Sequence, residues 1–254
     1  MLFRASQPSR RQTPAETEPG HFVLRITGAE VLVQLRRNPR ARRYTLRVRA
    51  PTRDVVLTIP ARGTLREAHD FVQRHAGWVE TRLARLPEIV AFAPGALIPL
   101  RGVPHRLVHR PGARGTVWAG VEEGEAVLCV AGDVAHVARR LGDYLRREAR
   151  RDLVEAAHRH ADALGVSIAR VTLRDTASRW GSCSGNGALS FSWRLILAPP
   201  SVLDYLAAHE VAHRREMNHG PRFWAIVDRL FPEREAAELW LKKHGASLHR
   251  YGAE

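Results

Sequence analysis

Residues 209–219 read HEVAHRREMNH, in which His209, Glu210 and His213 form an H-E-x-x-H motif and His219 follows six positions later. On a helix, residues four apart lie on one face, so the first two histidines can offer imidazole nitrogens to one metal ion. Glu210 is then placed beside them as general base. The spacing predicts a catalytic zinc site with one Zn2+ per chain.

The residues around the motif predict a helix of about four turns. Ser201 is a suitable N-cap, and an apolar face follows it at Val202, Leu203, Leu206, Ala207, Val211 and Ala212. Asn218 and Gly220 tolerate a left-handed backbone, which predicts that the helix ends there and the chain turns back toward the metal. Pro221 suits the first turn of a following helix.

The third metal ligand is less sharply defined than the first two. A catalytic zinc ion keeps three protein ligands and leaves one position for water. His219 is the preferred candidate, because a short spacer costs little loop entropy and imidazole suits zinc. The alternative is a carboxylate from Glu235 or Glu238.

Length and composition are those of an enzyme. With 254 residues and 44% hydrophobic content, the chain can form one large domain or two small ones. Two cysteines, Cys129 and Cys183, are too few for a disulfide framework and favour a reducing, cytoplasmic compartment. No apolar run approaches the length that spans a bilayer, so no membrane interaction is predicted.

The chain is strongly basic, with 40 basic against 26 acidic residues and a net charge of +14. Such an excess favours acidic partners, above all nucleic acid. Arg43, Arg47 and Arg49 fall on one face of a predicted strand, which makes them candidates for nucleic-acid or phosphate contact. The alternative is an ordinary solvated strand face.

The pattern along the chain predicts an α+β fold with three regions. Residues 1–20 lack apolar residues in any sustained run and are predicted to be a disordered tail. Residues 21–133 are β-rich, with one helix at 65–86 whose predicted buried side includes Phe71 and His75. Residues 134–254 form the catalytic domain and begin with a helix at 134–164 that stops at Gly165.

Two strands are predicted before the metal-binding helix, at residues 167–174 and 188–197. An edge strand in this position lets a peptide substrate pair with a sheet beside the metal, and residues 189–197 are the candidate. The alternative is an ordinary core strand with Phe191, Trp193 and Leu195 packed inward.

The C-terminal half resembles a known family. The combination of R-W-G-S-C at residues 179–183, the H-E-x-x-H motif, Asn218 before the third histidine and Phe223-Trp224 after it is similar to the YgjP-like metal-dependent hydrolases, relatives of the SprT-type zinc peptidases. The resemblance implies a zincin-like helical core with a small sheet. It also implies that His209, His213 and His219 are the ligands and Glu210 the base. Gly220 and Pro221 depart from the usual family pattern.

The motif predicts a zinc-dependent metallopeptidase in which Glu210 accepts the proton of a metal-activated water. Arg179 is a candidate for stabilising the oxyanion, and a structural role in its turn is the alternative. Two other functions stay open. One is a metal-dependent nucleoside triphosphate pyrophosphohydrolase that binds phosphates through arginines, and the other is a nucleic-acid-binding protein with structural zinc.

Overall fold

The computed structural model describes residues 20–26, 29–49, 53–86, 88–176 and 179–252. The predicted disordered tail therefore lies outside the described residues, except for Gly20. Contacts group the chain into two compact units, of which the first ends at Ala84 and the second comprises Ala50–Arg53 and everything from Arg85 onward. The fold is α+β, as the sequence predicts.

The N-terminal unit is a four-stranded sheet with two helices. Its strands run in the spatial order β1-β2-β4-β3, and β2 and β4 pair in parallel. The core combines both layers and is formed by Leu24, Val33, Val55, Leu57, Ile59, Ala68, Val72 and Val79. The elements are β1 (His21–Ile26), β2 (Ala29–Asn38), β3 (Thr45–Val48), β4 (Val55–Pro60), α1 (Leu65–Arg74) and α2 (Ala76–Ala84).

The single helix predicted at residues 65–86 is two helices. It begins as expected, since Thr64 and Glu67 form a capping box. The break falls at His75, whose ring Nδ1 donates to the carbonyl of Phe71 (2.7 Å) while its backbone N–H bonds to Val72. The side chain thus takes the acceptor that the next helical turn needs. His75 is exposed and Phe71 only partly buried, so the predicted buried side is wrong at His75.

The C-terminal unit begins with a second four-stranded sheet, in the order β5-β6-β8-β7. Its apolar face shares one core with the helix that follows, through Leu128 and Val130 of the sheet and Val137 and Leu141 of the helix. The sheet and the helix on either side of the predicted boundary at residues 133 and 134 therefore contribute to one core. The elements are β5 (Leu97–Leu100), β6 (Val103–Arg110), β7 (Val117–Glu122), β8 (Glu125–Ala131) and α3 (Val137–Leu164).

Helix α3 agrees with its prediction to within one turn. A short 3-10 turn at Val134–His136 leads into it, and Gly165 ends it in the left-handed conformation (φ 65°). The helix buries one long apolar stripe, of which Leu141, Leu145 and Leu153 are fully buried. It is the longest element of the core against which the following three-stranded sheet and the helix with the H-E-x-x-H motif pack.

A third, three-stranded sheet precedes the helix that carries the H-E-x-x-H motif. It consists of β9 (Arg170–Arg174), β10 (Gly181–Cys183) and β11 (Ala188–Ser192), in the spatial order β10-β11-β9. Strand β11 lies in the centre, so the interpretation of residues 189–197 as an edge strand is wrong. The core alternative is correct, because Phe191, Trp193 and Leu195 are buried.

The predicted strand at 188–197 stops at Ser192 and continues as a 3-10 turn, Trp193–Leu197. Every residue of that turn is buried. The turn is almost entirely apolar, and a short apolar run has the same sequence pattern as a buried strand. Arg194, only 4% exposed, forms a bidentate salt bridge with Asp175 and donates to the carbonyls of Leu248 and Tyr251. This side chain ties the turn to the end of β9 and to the C-terminal segment.

Three helices complete the unit: α4 (Pro200–Ala212), α5 (Pro221–Leu230) and α6 (Arg234–Leu248). Helix α4 begins one residue before the predicted N-cap. Ser201 lies inside the helix, Pro199 occupies the cap position, and Pro200 supplies the fixed backbone angle of the first turn. No helix in the described part of the chain combines the length and apolarity that crossing a membrane requires.

Candidate metal centre and active site

Helix α4 and the loop after it bring three imidazoles together. His209 lies in the last turn of α4, His213 caps its end, and His219 returns to them from the loop before α5. One ring nitrogen from each of the three lies within 4.8 Å of the others. Within the described residues, this trio is the group whose side chains are placed to hold a metal ion.

The donor geometry fits a zinc ion. The Nε2 atoms of His209 and His219 are 3.1 Å apart. Two nitrogens bound at about 2.0–2.1 Å to one tetrahedral zinc lie about 3.3 Å from each other. The two nitrogens are within hydrogen-bonding distance of each other, and the same separation lets the lone pairs of both reach one cation.

The chain returns to the metal centre without the left-handed residue that the sequence predicts. Helix α4 ends at Ala212, and a turn through Arg214 and Arg215 follows. Gly220 has φ −85° and serves as N-cap of α5, and Asn218 is not among the residues with positive φ. Pro221 occupies the first turn of α5, as predicted.

Hydrogen bonds fix two of the rings with Nε2 toward the centre. Nδ1 of His213 donates to the carbonyl of Glu216 (3.0 Å). Nδ1 of His209 lies 3.3 Å from the hydroxyl of Tyr205, which donates to Glu238 (2.8 Å). Such partners set the tautomer and orientation of metal-binding histidines.

Tyr205 was not singled out from the sequence, although its place four residues before His209 is a usable signal. Its contact with Glu238 also bears on the alternative third ligand. The Glu238 carboxylate is engaged by Tyr205 and by Arg234, and Glu235 is exposed on α6. Neither belongs to the described cluster of possible metal ligands, which takes His219 instead.

The Phe223 ring packs against all three imidazole rings. It is completely buried, and its ring centroid lies 4.9 Å from that of His209, 4.5 Å from that of His213 and 4.7 Å from that of His219. Trp224 flanks His209 and His219 at 5.9 and 5.8 Å. The Phe223-Trp224 pair therefore packs directly against the imidazoles.

Burial lowers the pKa of His209 to about 4, and the neighbouring His213 and His219 act in the same direction. The pKa of His213 is also lowered, chiefly by burial. A protonated imidazole cannot bind a metal. The surroundings therefore keep both rings in the neutral form, which is the form that donates a nitrogen lone pair.

Glu210 is 5% exposed and lies against strand β10. A β-carbon at Gly181 would be 2.7 Å from Glu210 Cγ and 2.8 Å from its Cδ, so glycine is required for this approach. Burial raises the pKa of Glu210 to about 7, against the opposing charge of Arg179. Burial thus makes this carboxyl group a stronger proton acceptor than an exposed glutamate.

The other side chains considered for the site lie outside the histidine cluster. Arg179 is exposed, precedes β10, and influences Glu210 electrostatically. Cys183 is a free, partly buried thiol whose pKa is raised by burial and by the Glu210 carboxylate, which opposes a nucleophilic role. Arg43, Arg47 and Arg49 belong to the N-terminal unit and are exposed.

Comparison with known families identifies this arrangement. The profile of the YgjP-like, metallopeptidase domain family matches residues 42–244. The chain belongs to the YgjP-like metallopeptidase family. The match spans both compact units, so the β-rich N-terminal unit is part of the family pattern from residue 42 onward.

The chain was also compared with curated proteins and with solved structures. No curated protein matches it. Among solved structures it is similar to the crystal structure of the metallopeptidase zymogen abylysin of Pyrococcus abyssi. The two are 21% identical, with a TM-score of 0.33, over 36% of this chain and 93% of that chain.

We expect Gly181→Ala to displace the Glu210 side chain, because the added methyl group overlaps it. Hydrolytic activity should fall at least tenfold while metal content stays unchanged. Gly185→Ala is the matched control, since a β-carbon there meets nothing within 4 Å. Metal analysis, circular dichroism and an activity assay on both variants test this. Full activity in Gly181→Ala would show that the close approach is dispensable.

We expect the purified protein to hold about one zinc ion per chain and each of His209→Ala, His213→Ala and His219→Ala to bind it much more weakly. Equilibrium dialysis with metal quantification measures this. Glu155→Gln is the control, because this exposed carboxylate of α3 is not part of the histidine cluster. Unchanged zinc affinity in His219→Ala, with a loss in Glu238→Gln, would transfer the third-ligand role to Glu238.

Proposed function

We propose that this YgjP-like protein is a zinc-dependent peptidase in which His209, His213 and His219 hold the metal and Glu210 is the general base. The observation that carries the proposal is the convergence of three imidazoles beside one buried carboxylate, Glu210, that is not part of the cluster. Three ligands leave a coordination position open for chemistry.

Zinc at this position supplies Lewis acidity toward a water molecule and toward the attacked carbonyl group. Glu210 accepts the proton of that water and returns it to the departing amine, and burial against β10 holds the carboxylate at a proton affinity suited to both steps. Arg179, in electrostatic contact with Glu210, is our candidate for stabilising negative charge on the substrate oxygen.

Strand β10 offers a docking edge for an extended peptide. Among the described strands it pairs only with β11, so its other edge makes no strand pairing and is the edge where strand addition can occur. Gly181 of this strand lies against Glu210, which brings a peptide on that edge close to the base. We therefore assign to β10 the substrate-pairing role that the sequence suggested for residues 189–197.

The two alternatives fit the site less well. A structural zinc site is usually closed by four ligands rich in cysteine, whereas here three histidines adjoin a buried glutamate. A nucleoside triphosphate pyrophosphohydrolase would need phosphate ligands at the metal, and the chain has no P-loop motif. Cys129 and Cys183 are both free thiols, which suits the cytoplasmic location that we propose.

The N-terminal unit presents a basic surface suited to nucleic acid as a second partner. Leu46 and Val48 of β3 pack against the core, which directs Arg47 to the exposed face. Arg43, Arg47 and Arg49 are exposed, and none of them forms a salt bridge within the described residues. We propose that this arginine surface contacts phosphates.

We expect Glu210→Gln to retain the fold and the zinc but to lose activity by a factor of about 100 to 10,000, since the amide cannot accept the proton. Assays on peptides and on nucleoside triphosphates, with zinc analysis alongside, measure this. Glu235→Gln, which removes an exposed carboxylate from α6, should behave like the unsubstituted protein. Hydrolysis by Glu210→Gln within a few-fold of normal would eliminate the proposed mechanism, and turnover of triphosphates alone would favour the nucleotide alternative.

We expect binding of the full chain to a DNA oligonucleotide to weaken steeply with rising salt, and the triple Arg43→Ala, Arg47→Ala, Arg49→Ala variant to flatten that dependence. The matched control replaces Arg66, Arg74 and Arg82, three exposed arginines of α1 and α2, by alanine. Fluorescence anisotropy across a salt series measures both. Equal slopes for the two triple variants would reduce the arginine surface to general charge.

A further inference from the structure

The solvent face of the small sheet carries an aligned row of hydroxyl groups. In the register of the three strands, Ser182 pairs with Ser190 and Ser190 with Thr172. The neighbouring positions Leu189 and Phe191 are buried in the core, so the hydroxyl-bearing side chains lie on the opposite face. This face is polar at each strand and is not covered by another described element of the core.

Three arginines surround the hydroxyl row. Two adjoining cavities of about 420 and 410 Å3 open on this face, and both are lined by Arg174, Arg179, Ser182 and Ser190. Arg170 lines the second cavity as well. We call this continuous depression the arginine groove.

The arginine groove offers charged donors to an anion. Arg170, Arg174 and Arg179 are exposed, and none of them forms a salt bridge within the described residues. No carboxylate is among the described residues that line either cavity. Guanidinium and hydroxyl groups together are the usual ligands of carboxylates and phosphates.

The arginine groove adjoins the candidate active site through a single strand. Gly181 lines the first cavity, and the backbone of the same residue lies against the Glu210 side chain. A peptide paired with the free edge of β10 alternates its side chains between the two faces of the sheet. Every second side chain then points toward the arginine groove.

We propose that the arginine groove is a specificity subsite that binds acidic side chains at alternate positions of a peptide substrate. This rests on the proposed peptidase function, and it adds a substrate class, polypeptides with Asp or Glu residues flanking the cleaved bond. The strand-pairing geometry is what favours a polypeptide over a nucleic acid, since it delivers side chains to the groove in register.

The test measures binding to the zinc-loaded full chain carrying Glu210→Gln, so that no cleavage occurs. Two fluorescein-labelled ten-residue peptides are compared by anisotropy at about 50 mM salt, where screening is weak. One has Glu at alternate positions and the other has Gln there. We expect the acidic peptide to bind about tenfold or more tightly, the factor that one or two charge-assisted hydrogen bonds provide.

Adding Arg170→Gln and Arg174→Gln should abolish the preference for the acidic peptide. Arg179 is left in place because it is a candidate catalytic group. The matched control adds Arg114→Gln and Arg229→Gln, two exposed arginines of the same unit that line neither cavity. It removes the same charge and should retain the preference. If the double variant does not fold, Arg174→Gln alone replaces it, since Arg174 lines both cavities.

Three results would overturn the proposal. The first is equal affinity for the acidic and the Gln peptide. The second is an equal loss of the preference for the acidic peptide in the groove variant and in its control. The third is binding of a thymidine ten-mer more tightly than the acidic peptide, if the groove variant abolishes that binding and the control does not. The last would assign the arginine groove to nucleic acid. Cleavage of the Gln peptide by the unsubstituted protein tests the peptidase function separately, so failure of one idea is distinguishable from failure of the other.

Discussion

The helical spacing of His209 and His213 is the constraint on which the rest of the site depends. Four residues of helix place two rings on one face, but they fix neither the ring rotation nor the third donor. Phe223 beneath the rings and the backbone carbonyl of Glu216 supply the rotation, and the short loop to α5 supplies His219. Burial lowers the pKa of His209 and of His213, which keeps these two rings in the neutral form that can bind a cation.

The scaffold around α4 serves mainly to hold the small sheet against it. Helix α3 and the 3-10 turn before α4 bury the aliphatic side of the sheet, and Arg194 connects that turn to Asp175 and to the C-terminal carbonyls. A charge this deeply buried is tolerated because its hydrogen bonds are made. Removal of the Arg194 side chain would take a donor from the Asp175 carboxylate and from two backbone carbonyls at once, so the contacts of the turn with β9 and with the C-terminal segment would be lost together.

The sequence predicted those features that depend on short-range spacing. The histidine trio, the end of α3 at Gly165 and the proline at the start of α5 all follow from residue types at fixed offsets. The structure brings the three imidazoles together and places the glycine and the proline as expected. The features that the sequence did not predict depend on tertiary contact. The buried turn at Trp193–Leu197 reads as a strand because all its side chains are apolar or packed, and the break at His75 arises from one side-chain hydrogen bond. The approach of Gly181 to Glu210 joins residues 29 positions apart and has no periodic signal.

Strand β10 separates two kinds of chemistry by the alternation of its three residues. Gly181 lies against the Glu210 side chain, and burial together with the Glu210 carboxylate raises the pKa of Cys183 on the same face. Ser182, between them, faces the arginine groove. Substitutions at position 182, or on the outer faces of β9 and β11, therefore leave the metal centre untouched. The peptides that this protein selects can therefore be altered by substitution at these outer positions, independently of the residues beside Glu210.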